Sequence, residues 1–195
     1  MKIGCKKPEN FFQKQRSFYL TAKLKEKNLD YKMGGMAHLN LIYNLIKHHN
    51  PKQILETGVA FGWSTLAIIL SKSQKSKLIS IDLSYPTKSS YKLVGMAIPS
   101  NLKKKFTLLS GIDYEYLYKF GINKKKFDLI HYDSDKSYLG RKKNYNLIWN
   151  ILNKNGCFIS DDISDNSAFY EFVIKKKLKY FILKFNRKYI GIVYK

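Results

Sequence analysis

The chain has 195 residues, 45% of them hydrophobic, and 36 Lys and Arg against 14 Asp and Glu give a formal net charge of +22. This length fits one domain, 1–195, and the apolar fraction is too high for a disordered polycation such as a histone-like tail. Cys5 and Cys157 lie far apart, which excludes a disulfide framework and a cysteine-based zinc site. The longest wholly apolar run, 66–70, is far shorter than the ~20 residues of a membrane span, and no secretory segment follows Met1. We therefore expect a cytoplasmic protein.

The excess of basic residues is mostly lysine. Of the 36 basic residues 33 are Lys and three are Arg, whereas proteins that read nucleic-acid grooves favour the planar, bidentate fork of Arg. Abundant Lys, Asn, Ile and Tyr are also what an AT-rich coding sequence yields. A solvated basic surface is the preferred interpretation, and any binding of RNA or DNA should be weak, independent of sequence and lost at physiological salt.

The hydrophobic pattern alternates between helix and strand periods along the chain. Two helices come first, Asn10–Lys27 and Met36–His49. Five apolar runs predict buried strands at Lys52–Thr57, Lys77–Asp82, Phe106–Leu109, Phe127–Tyr132 and Gly156–Ser160. Helices are predicted between and after them at Ser64–Ser71, Ser89–Ala97, Asp113–Lys119, Ser137–Asn153 and Asn166–Lys176. Because such alternation implies right-handed crossovers, these elements predict a parallel sheet with helices on both faces.

The end of the chain breaks this alternation. Two apolar runs, Lys179–Phe185 and Lys188–Tyr194, flank Asn186-Arg187 and predict an antiparallel hairpin. The predicted fold class is α/β: a Rossmann-like three-layer sandwich with a seven-stranded, mostly parallel sheet and a C-terminal antiparallel hairpin.

Residues with useful chemistry follow the first two strands, where open α/β sheets bind their ligands. The first strand runs into ETGVAFGWS, with a carboxylate at Glu56, glycines at Gly58 and Gly62, and a hydroxyl at Ser64. The glycines would let a ligand approach the backbone, although strand-to-helix turns also use glycine for structural reasons. Asp82 ends the second strand, where a carboxylate can accept both ribose hydroxyls of a nucleoside. Because the G-x-G-x-x-G order of pyrophosphate loops is absent, the two carboxylates favour a ligand with ribose and positive charge.

From this loop onward the chain resembles the class I S-adenosylmethionine-dependent methyltransferases, over nearly all of 36–195. In that fold an E-x-G-x-x-x-G loop cradles the methionine half of the cofactor, and the acidic end of the second strand holds its ribose. The resemblance implies S-adenosylmethionine as cofactor, with contacts from Glu56, Gly58, Gly62, Ser64, Asp82 and Asp133. It also implies a cofactor-binding core over 51–195, with N-terminal helices over 1–50 on the lid or substrate side. Relatives often carry Gly-Asp-Ser after the third strand, whereas this chain has Gly111-Ile112-Asp113, which leaves the adenine contact open.

Acidic residues also end the fourth and fifth predicted strands. The sequence has DSDKSY at 133–138, DDI at 161–163 and NSAF at 166–169. These segments resemble a small methyltransferase family with D-S-x-H-x-Y, D-D-I and N-x-A-F segments. They also resemble metal-dependent O-methyltransferases of the catechol and caffeoyl-coenzyme A type, which carry D-x-D-K after the fourth strand and Asp-Asp or Asp-Asn after the fifth. Lys136 stands where the first family has His and the second has Lys.

The physical chemistry of these strand ends points to a metal. Neighbouring parallel strands lie ~5 Å apart, so Asp133, Asp161 and Asp162 should converge and raise one another's pKa unless a divalent cation relieves the repulsion. Oxygen ligands suit Mg²⁺, Mn²⁺ or Ca²⁺. The cation would activate a substrate hydroxyl while Lys136, its pKa depressed by the cation, takes the proton, which makes Lys136 and Asp133 the predicted catalytic residues. The structural alternative is that Asp161 or Asp162 caps the next helix and Lys136 only neutralises the aspartates.

Together these features predict O-methylation of a small hydroxylated metabolite by S-adenosylmethionine, with a divalent cation as a second, optional cofactor. Two other functions stay open: a methyltransferase or binding protein directed at nucleic acid, supported by charge alone, and a non-catalytic partner protein with a cofactor fold. We expect no membrane association and leave a homodimer open. His131, inside the fourth strand, is predicted to be a satisfied core residue.

Overall fold

The computed structural model describes residues 7–30, 33–83 and 92–195. The helices are α1 (Phe11–Lys14), α2 (Arg16–Lys27), α3 (Leu39–His49), α4 (Trp63–Ser71), α5 (Asp113–Ile122), α6 (Tyr138–Ile151) and α7 (Ala168–Lys175). The strands are β1 (Gln53–Thr57), β2 (Lys77–Asp82), β3 (Thr107–Ser110), β4 (Phe127–Tyr132), β5 (Leu152–Ser160), β6 (Tyr180–Phe185) and β7 (Lys188–Tyr194). Short 3₁₀ turns lie at Ser100–Lys105 and Ile163–Asp165. None of the helices in these described ranges combines the length and the apolar character of a membrane span.

The seven strands form one sheet in the order β3-β2-β1-β4-β5-β7-β6. The first five strands pair in parallel, and β7 runs antiparallel to both β5 and β6. The predicted fold class is therefore confirmed, including the C-terminal hairpin. The strand order reverses direction at β1, between β2 and β4, and the carboxyl ends of strands beside such a switch point border a crevice.

Helices cover both faces of the sheet, which explains why the central strands are apolar on both sides. On one face, α1 to α4 bury residues such as Phe11, Ile46 and Leu66 against β1 and β2. On the other face, α5 to α7 pack residues such as Tyr145 and Phe172 against β4 and β5. The central strands therefore lie between two packed cores, one on each face of the sheet. These cores fix the positions from which the loops at the strand ends begin.

Most predicted elements are present with shifted ends. The first predicted helix is two helices, because the backbone leaves helical geometry at Gln15 (φ −117°). α3 begins three residues later than predicted, at Leu39, because the His38 imidazole accepts a hydrogen bond from Leu41 N at 3.3 Å and caps the helix. β5 begins at Leu152 rather than Gly156, opposite the start of β4, with an irregularity in the pairing that follows.

One predicted helix is not confirmed. Residues 89–91 of the predicted helix Ser89–Ala97 lie outside the described residues, and residues 92–97 form turns instead of a helix. Gly95 lies in this segment with φ +73°, a left-handed conformation that a regular helix does not contain. The turns bring Gly95 against the loop that follows β1.

Candidate active site

Two adjoining cavities lie at the carboxyl ends of the central strands. The first, which we call the Asp82 cavity, has a volume of about 410 Å³ and is lined by Gly58, Ala60, Ile81, Asp82, Leu83, Gly111, Ile112, Asp113, Asp133, Ser134 and Asp135. The second, the Lys136 cavity, has about 350 Å³ and is lined by Gly34, Gly35, Ala37, residues 58–64, Asp133, Ser134, Lys136 and Lys188. They share the loop after β1 and the first two residues after β4. Most of the predicted site residues therefore line one continuous crevice.

The two glycines of the loop after β1 are required by the packing of the chain itself. Gly58 has φ +84°, and a Cβ there would lie 2.3 Å from the backbone oxygen of Asp133. Gly62 has φ +99°, and a Cβ there would lie 2.9 Å from Gly95 Cα. Both positions need glycine before any ligand binds. These glycines therefore have a structural role: at Gly58 the missing side chain lets the loop after β1 pack against the end of β4.

Asp82 fastens the same loop to the end of β2. Its Oδ2 accepts hydrogen bonds from the backbone N–H groups of Val59 and Ala60, both at 2.8 Å. Charge-assisted bonds of this kind are roughly twice as strong as neutral ones. Asp82 thus lines its cavity and fixes the position of the backbone beside it.

Glu56 points into the protein and lines neither cavity. It is fully buried, and its Oε2 accepts hydrogen bonds from Thr65 and Ser80, both at 2.7 Å. Its Oε1 lies 3.8 Å from Nδ1 of His131, the residue beside it on β4. Glu56 therefore ties β1 to α4 and β2 beneath the loop.

His131 is buried as predicted, but its ring is not fully hydrogen-bonded. Among the residues that the structure describes, Nδ1 has no hydrogen-bond partner, and the 3.8 Å approach to Glu56 is too long to be one. Burial disfavours the charged ring, yet the carboxylates of Glu56, Asp133 and Asp161 together raise the pKa of His131 above its usual value. The expectation of a satisfied core histidine is thus wrong in its hydrogen bonding.

A hydroxyl and amide network supports the floor of the Asp82 cavity. Ser134 donates to Thr57 Oγ1 at 2.8 Å or to Asp113 Oδ2 at 2.5 Å. Asp113 Oδ2 also accepts from Asn144 Nδ2 at 2.9 Å. Asp113, at the start of α5, therefore connects α5 to α6 through Asn144 and to the end of β4 through Ser134. Ser64, the other hydroxyl predicted in the site, lines the Lys136 cavity and is almost fully buried.

Lys136 lies between two carboxylates. Its Nζ is 2.9 Å from Asp133 Oδ1, and it donates a hydrogen bond to Asp162 Oδ2. Burial alone would lower the pKa of Lys136, but the two carboxylates outweigh burial and raise it above the usual value for lysine. The predicted depression of this pKa depends on a cation beside Lys136; with the two carboxylates as its neighbours, the pKa is raised.

Lys188 is a residue of this site that the sequence did not reveal. Its Nζ lies 3.0 Å from the carboxylate oxygens of Asp162, and it lines the Lys136 cavity. β7 runs antiparallel to β5 with Gly191 opposite Ser160, which places the start of β7 beside the end of β5. Only that register brings Lys188 to the acidic end of β5.

The two aspartates after β5 differ in their surroundings. Burial tends to raise the pKa of Asp162, but hydrogen bonds from Lys136 and Lys188 lower it overall. Burial and the nearby charge of Asp133 raise the pKa of Asp161. Among the described residues neither side chain caps a helix: Asp162 makes no capping hydrogen bond to the turn that follows it, and Asp161 Oδ1 accepts a 3.2 Å bond from its neighbour Asp162 N. The structural alternative predicted that Lys136 neutralises the aspartates and that Asp161 or Asp162 caps a helix. The salt bridges of Lys136 are present, but among the described residues the helix cap is absent.

The predicted metal ligands have suitable chemistry but not a suitable arrangement. Carboxylate oxygens are the donors that Mg²⁺ and Mn²⁺ prefer. However, in 7–30, 33–83 and 92–195 no group of three or more His, Cys, Asp or Glu side chains is placed to hold a metal ion. Lys136 and Lys188 occupy the oxygens of Asp162 instead. As they stand, Asp133, Asp161 and Asp162 do not fit a bound cation.

Comparisons with known proteins agree with this architecture. Residues 55–163, more than half of the chain, match the profile of a family described as "Methyltransferase domain". Among curated proteins, none matches the sequence.

Solved structures with the same fold cover almost the whole chain. An O-methyltransferase from Bacillus cereus, solved in complex with SAH, superposes with a TM-score of 0.71 at 16% identity, over 96% of this chain and 92% of that one. A protein from Staphylococcus aureus assigned as a caffeoyl-CoA O-methyltransferase gives 0.73 at 17% identity, over 95% and 96%. A methyltransferase from Geobacter sulfurreducens gives 0.71 at 13% identity, over 98% and 91%. At these identities the likeness establishes the fold and leaves the substrate to chemical argument.

Proposed function

The chain belongs to the methyltransferase-domain family, and from this premise we propose that it transfers the methyl group of S-adenosylmethionine to a hydroxyl oxygen of a small molecule. One observation carries the proposal: the Asp82 cavity and the Lys136 cavity meet at Gly58 and Asp133. A cofactor across both cavities would place its nucleoside beside Asp82 and its sulfonium on the Lys136 side. The similar Bacillus cereus protein, solved with SAH, supports this choice of cofactor.

The Asp82 cavity suits a nucleoside without phosphates. Carboxylates at Asp82, Asp113, Asp133 and Asp135 line it, and no lysine or arginine is among its described lining residues. A carboxylate can accept hydrogen bonds from ribose hydroxyls, whereas negative phosphates would be repelled here. The same negative charge favours the cationic sulfonium of S-adenosylmethionine. Both effects support this cofactor over a dinucleotide.

We assign Lys136 the role of general base, the group that accepts the proton of the acceptor hydroxyl. In the reaction the bond between the methyl carbon and sulfur breaks as the carbon–oxygen bond forms, and neutral S-adenosylhomocysteine leaves. The proton of the hydroxyl passes to the Lys136 amine, which must therefore be neutral beforehand. Because Asp133 and Asp162 raise the pKa of Lys136, only a small fraction has the neutral amine near pH 7. The raised pKa predicts that proton transfer becomes easier as the pH increases.

A divalent cation is the second part of the proposal. Asp133, Asp161 and Asp162 do not fit a cation as they stand, so a cation would first have to displace the ammonium groups of Lys136 and Lys188 from Asp162. The raised pKa of Asp161, caused by burial and by Asp133, supports a need for positive charge here. The ammonium groups of Lys136 and Lys188 already meet part of that need on Asp162. We therefore expect weak cation binding to the free protein.

The acceptor side is formed by the N-terminal part of the chain. Gly34, Gly35 and Ala37 line the Lys136 cavity opposite the β1 loop. α2 is fastened to the start of α4, directly after that loop, because Trp63 Nε1 donates a hydrogen bond to Glu26 Oε1 at 2.8 Å. The volume of about 350 Å³ lies at the low end of the range for ligand pockets, and the methionine half of the cofactor would share it, which supports a small acceptor.

A methyl-transfer screen tests this function. Purified protein and labelled S-adenosylmethionine are combined with catechols, sugars, small hydroxylated metabolites and, separately, RNA, each with and without Mg²⁺. Label on the oxygen of a small acceptor supports the proposal. Label on RNA supports the nucleic-acid alternative, and a protein that does not bind S-adenosylmethionine by calorimetry would instead be a non-catalytic partner protein.

A further inference from the structure

A third cavity lies at the opposite end of the sheet from the candidate active site. It has a volume of about 680 Å³, and the first residues of β1, β2 and β3 are in its wall. Five lysines line it: Lys72, Lys77, Lys104, Lys105 and Lys125. We call it the lysine cavity. These lysines come from four separate parts of the chain, so the fold, rather than a single run of charge in the sequence, brings them together.

The wall of the lysine cavity has no negative charge of its own. Its described lining residues include no Asp or Glu, and the remaining polar groups are hydroxyls and amides such as Ser73, Gln74 and Thr107. Apolar side chains, Ile69 and Phe106 among them, complete the wall. A concave surface with several ammonium groups, hydroxyl and amide donors and an apolar base has the composition of an anion site rather than of a freely solvated face.

Two of the lysines, Lys72 and Lys105, are close enough to repel one another. Lys72 is partly buried, and its ammonium donates a hydrogen bond to the backbone oxygen of Ser76 at 2.6 Å. Burial and, secondly, the charge of Lys105 lower the pKa of Lys72. An anion with several charges would remove this repulsion.

We propose that the lysine cavity binds a compact phosphate compound with three or more negative charges. Lysine binds phosphate as a point charge, and the charges of Lys72, Lys77, Lys104 and Lys105 around one concavity match several phosphate groups close together. The ammonium of Lys125 lies over the rings of Phe120 and Phe127 and adds to the positive field. A nucleic-acid duplex spreads its charge along an axis at one charge per ~1.7 Å, so an extended stripe of lysines would suit it better than lysines gathered around one concavity. The proposal does not depend on the methyltransferase activity, because the cavity shares no residue with the cavities of the candidate active site.

Calorimetry with inorganic tripolyphosphate tests this site on the full chain, in about 150 mM salt so that the general field of the protein is screened. We expect saturable binding of one tripolyphosphate per chain. Lys105→Gln and Lys72→Gln should each weaken it about 10-fold, the loss of one charge-assisted contact. Thermal unfolding of both variants checks that they fold, and unchanged binding of S-adenosylmethionine checks that the rest of the protein is intact.

Lys103→Gln is the matched control. Lys103 lies in the same turn, is exposed, does not line the cavity, and its substitution changes the net charge by the same amount. Tripolyphosphate affinity within about two-fold of wild type is expected for this variant. Absence of saturable binding, or equal weakening by Lys103→Gln and Lys105→Gln, would overturn the proposal. An RNA oligonucleotide that binds more tightly than tripolyphosphate under the same conditions would overturn it as well, in favour of a nucleic-acid surface.

Discussion

The two ends of the sheet contain lysines in opposite circumstances. At the carboxyl ends of the strands, Lys136 and Lys188 are both paired with Asp162, and Lys136 also with Asp133. At the amino ends, the lining residues of the lysine cavity include no carboxylate in the part of the chain described. The comparison shows that the abundance of lysine in this chain says little about its role. The neighbours of each ammonium group decide whether it balances a buried carboxylate or stays available to an anion.

Replacing Lys136 should have the largest effect, because it removes the proton acceptor from the carboxyl-end site. We expect Lys136→Met to lower turnover by about 10²- to 10⁴-fold while affinity for S-adenosylmethionine barely changes. Lys136→Arg separates charge from proton transfer, since Arg keeps the positive charge and does not give up its proton. If Lys136→Arg is as inactive as Lys136→Met, the result supports Lys136 as the general base. Near wild-type activity of Lys136→Arg would show that only the positive charge matters.

The pH profile of wild-type turnover sharpens the same point. The pKa of Lys136 is raised, so the neutral amine increases about tenfold per pH unit until that pKa is reached. Turnover under saturating substrates should therefore rise without a plateau from pH 7 to about pH 9. A plateau at or below neutral pH would contradict proton transfer to Lys136 in this charge environment.

A methyl group at Gly58 should disrupt the contact between the two cavities of the candidate active site. Gly58→Ala places a Cβ 2.3 Å from the backbone oxygen of Asp133 at a positive φ, and we expect a loss of about 2–4 kcal/mol in the free energy of unfolding. Gly121→Ala is the control, because a methyl group at Gly121 in α5 would meet no neighbouring atom within 4 Å and should add up to about 1 kcal/mol of stability. Denaturant unfolding measures both. Equal stabilities would show that the β1 loop is not packed as described.

Asp82 has a counterpart at the other end of the sheet that makes a matched comparison. Asp128 Oδ2 accepts hydrogen bonds from Lys52 N and Gln53 N, as Asp82 Oδ2 does from two backbone N–H groups. Both Asp→Ala variants should lose stability. Only Asp82→Ala should also lose about 2 kcal/mol in binding of S-adenosylmethionine by calorimetry. Equal cofactor affinity in the two variants would remove Asp82 from the cofactor site.

The smallest expected effect concerns the cation. Lys188→Met removes one of the two ammonium groups from Asp162, so Mn²⁺ should bind a few-fold more tightly than to wild type. Lys184→Met serves as the control for net charge, because Lys184 lies on the exposed strand β6. Calorimetry with Mn²⁺ measures the affinities. Unchanged affinity in Lys188→Met would show that Lys188 does not compete with a cation for Asp162.

The sequence was sufficient to predict which residues share the carboxyl ends of the strands. Alternating helices and strands imply parallel crossovers, and parallel strands end on the same side, so Gly58, Asp82, Asp133 and Lys136 could be placed together before their contacts were known. The two-residue alternation of a strand does not say which neighbours a buried side chain finds. Glu56 is consequently held by Thr65 and does not line the crevice.

Residues brought in by long-range register were beyond sequence reasoning. Lys188 reaches Asp162 only because β7 pairs antiparallel with β5 at one register. The break at Gln15 has no glycine or proline to mark it, and the lysine cavity combines residues from four segments. In each case the information lies in contacts between distant parts of the chain, which local patterns do not contain.

A crystal structure with S-adenosylhomocysteine bound tests the central claim most directly. Under the proposed function we expect the ribose beside Asp82 and the sulfur in the Lys136 cavity, on the side of Lys136 and Lys188. Density for the nucleoside in the Asp82 cavity and for the homocysteine beyond Gly58 would match that expectation. The reverse orientation, or a ligand bound away from both cavities, would contradict the proposed direction of methyl transfer.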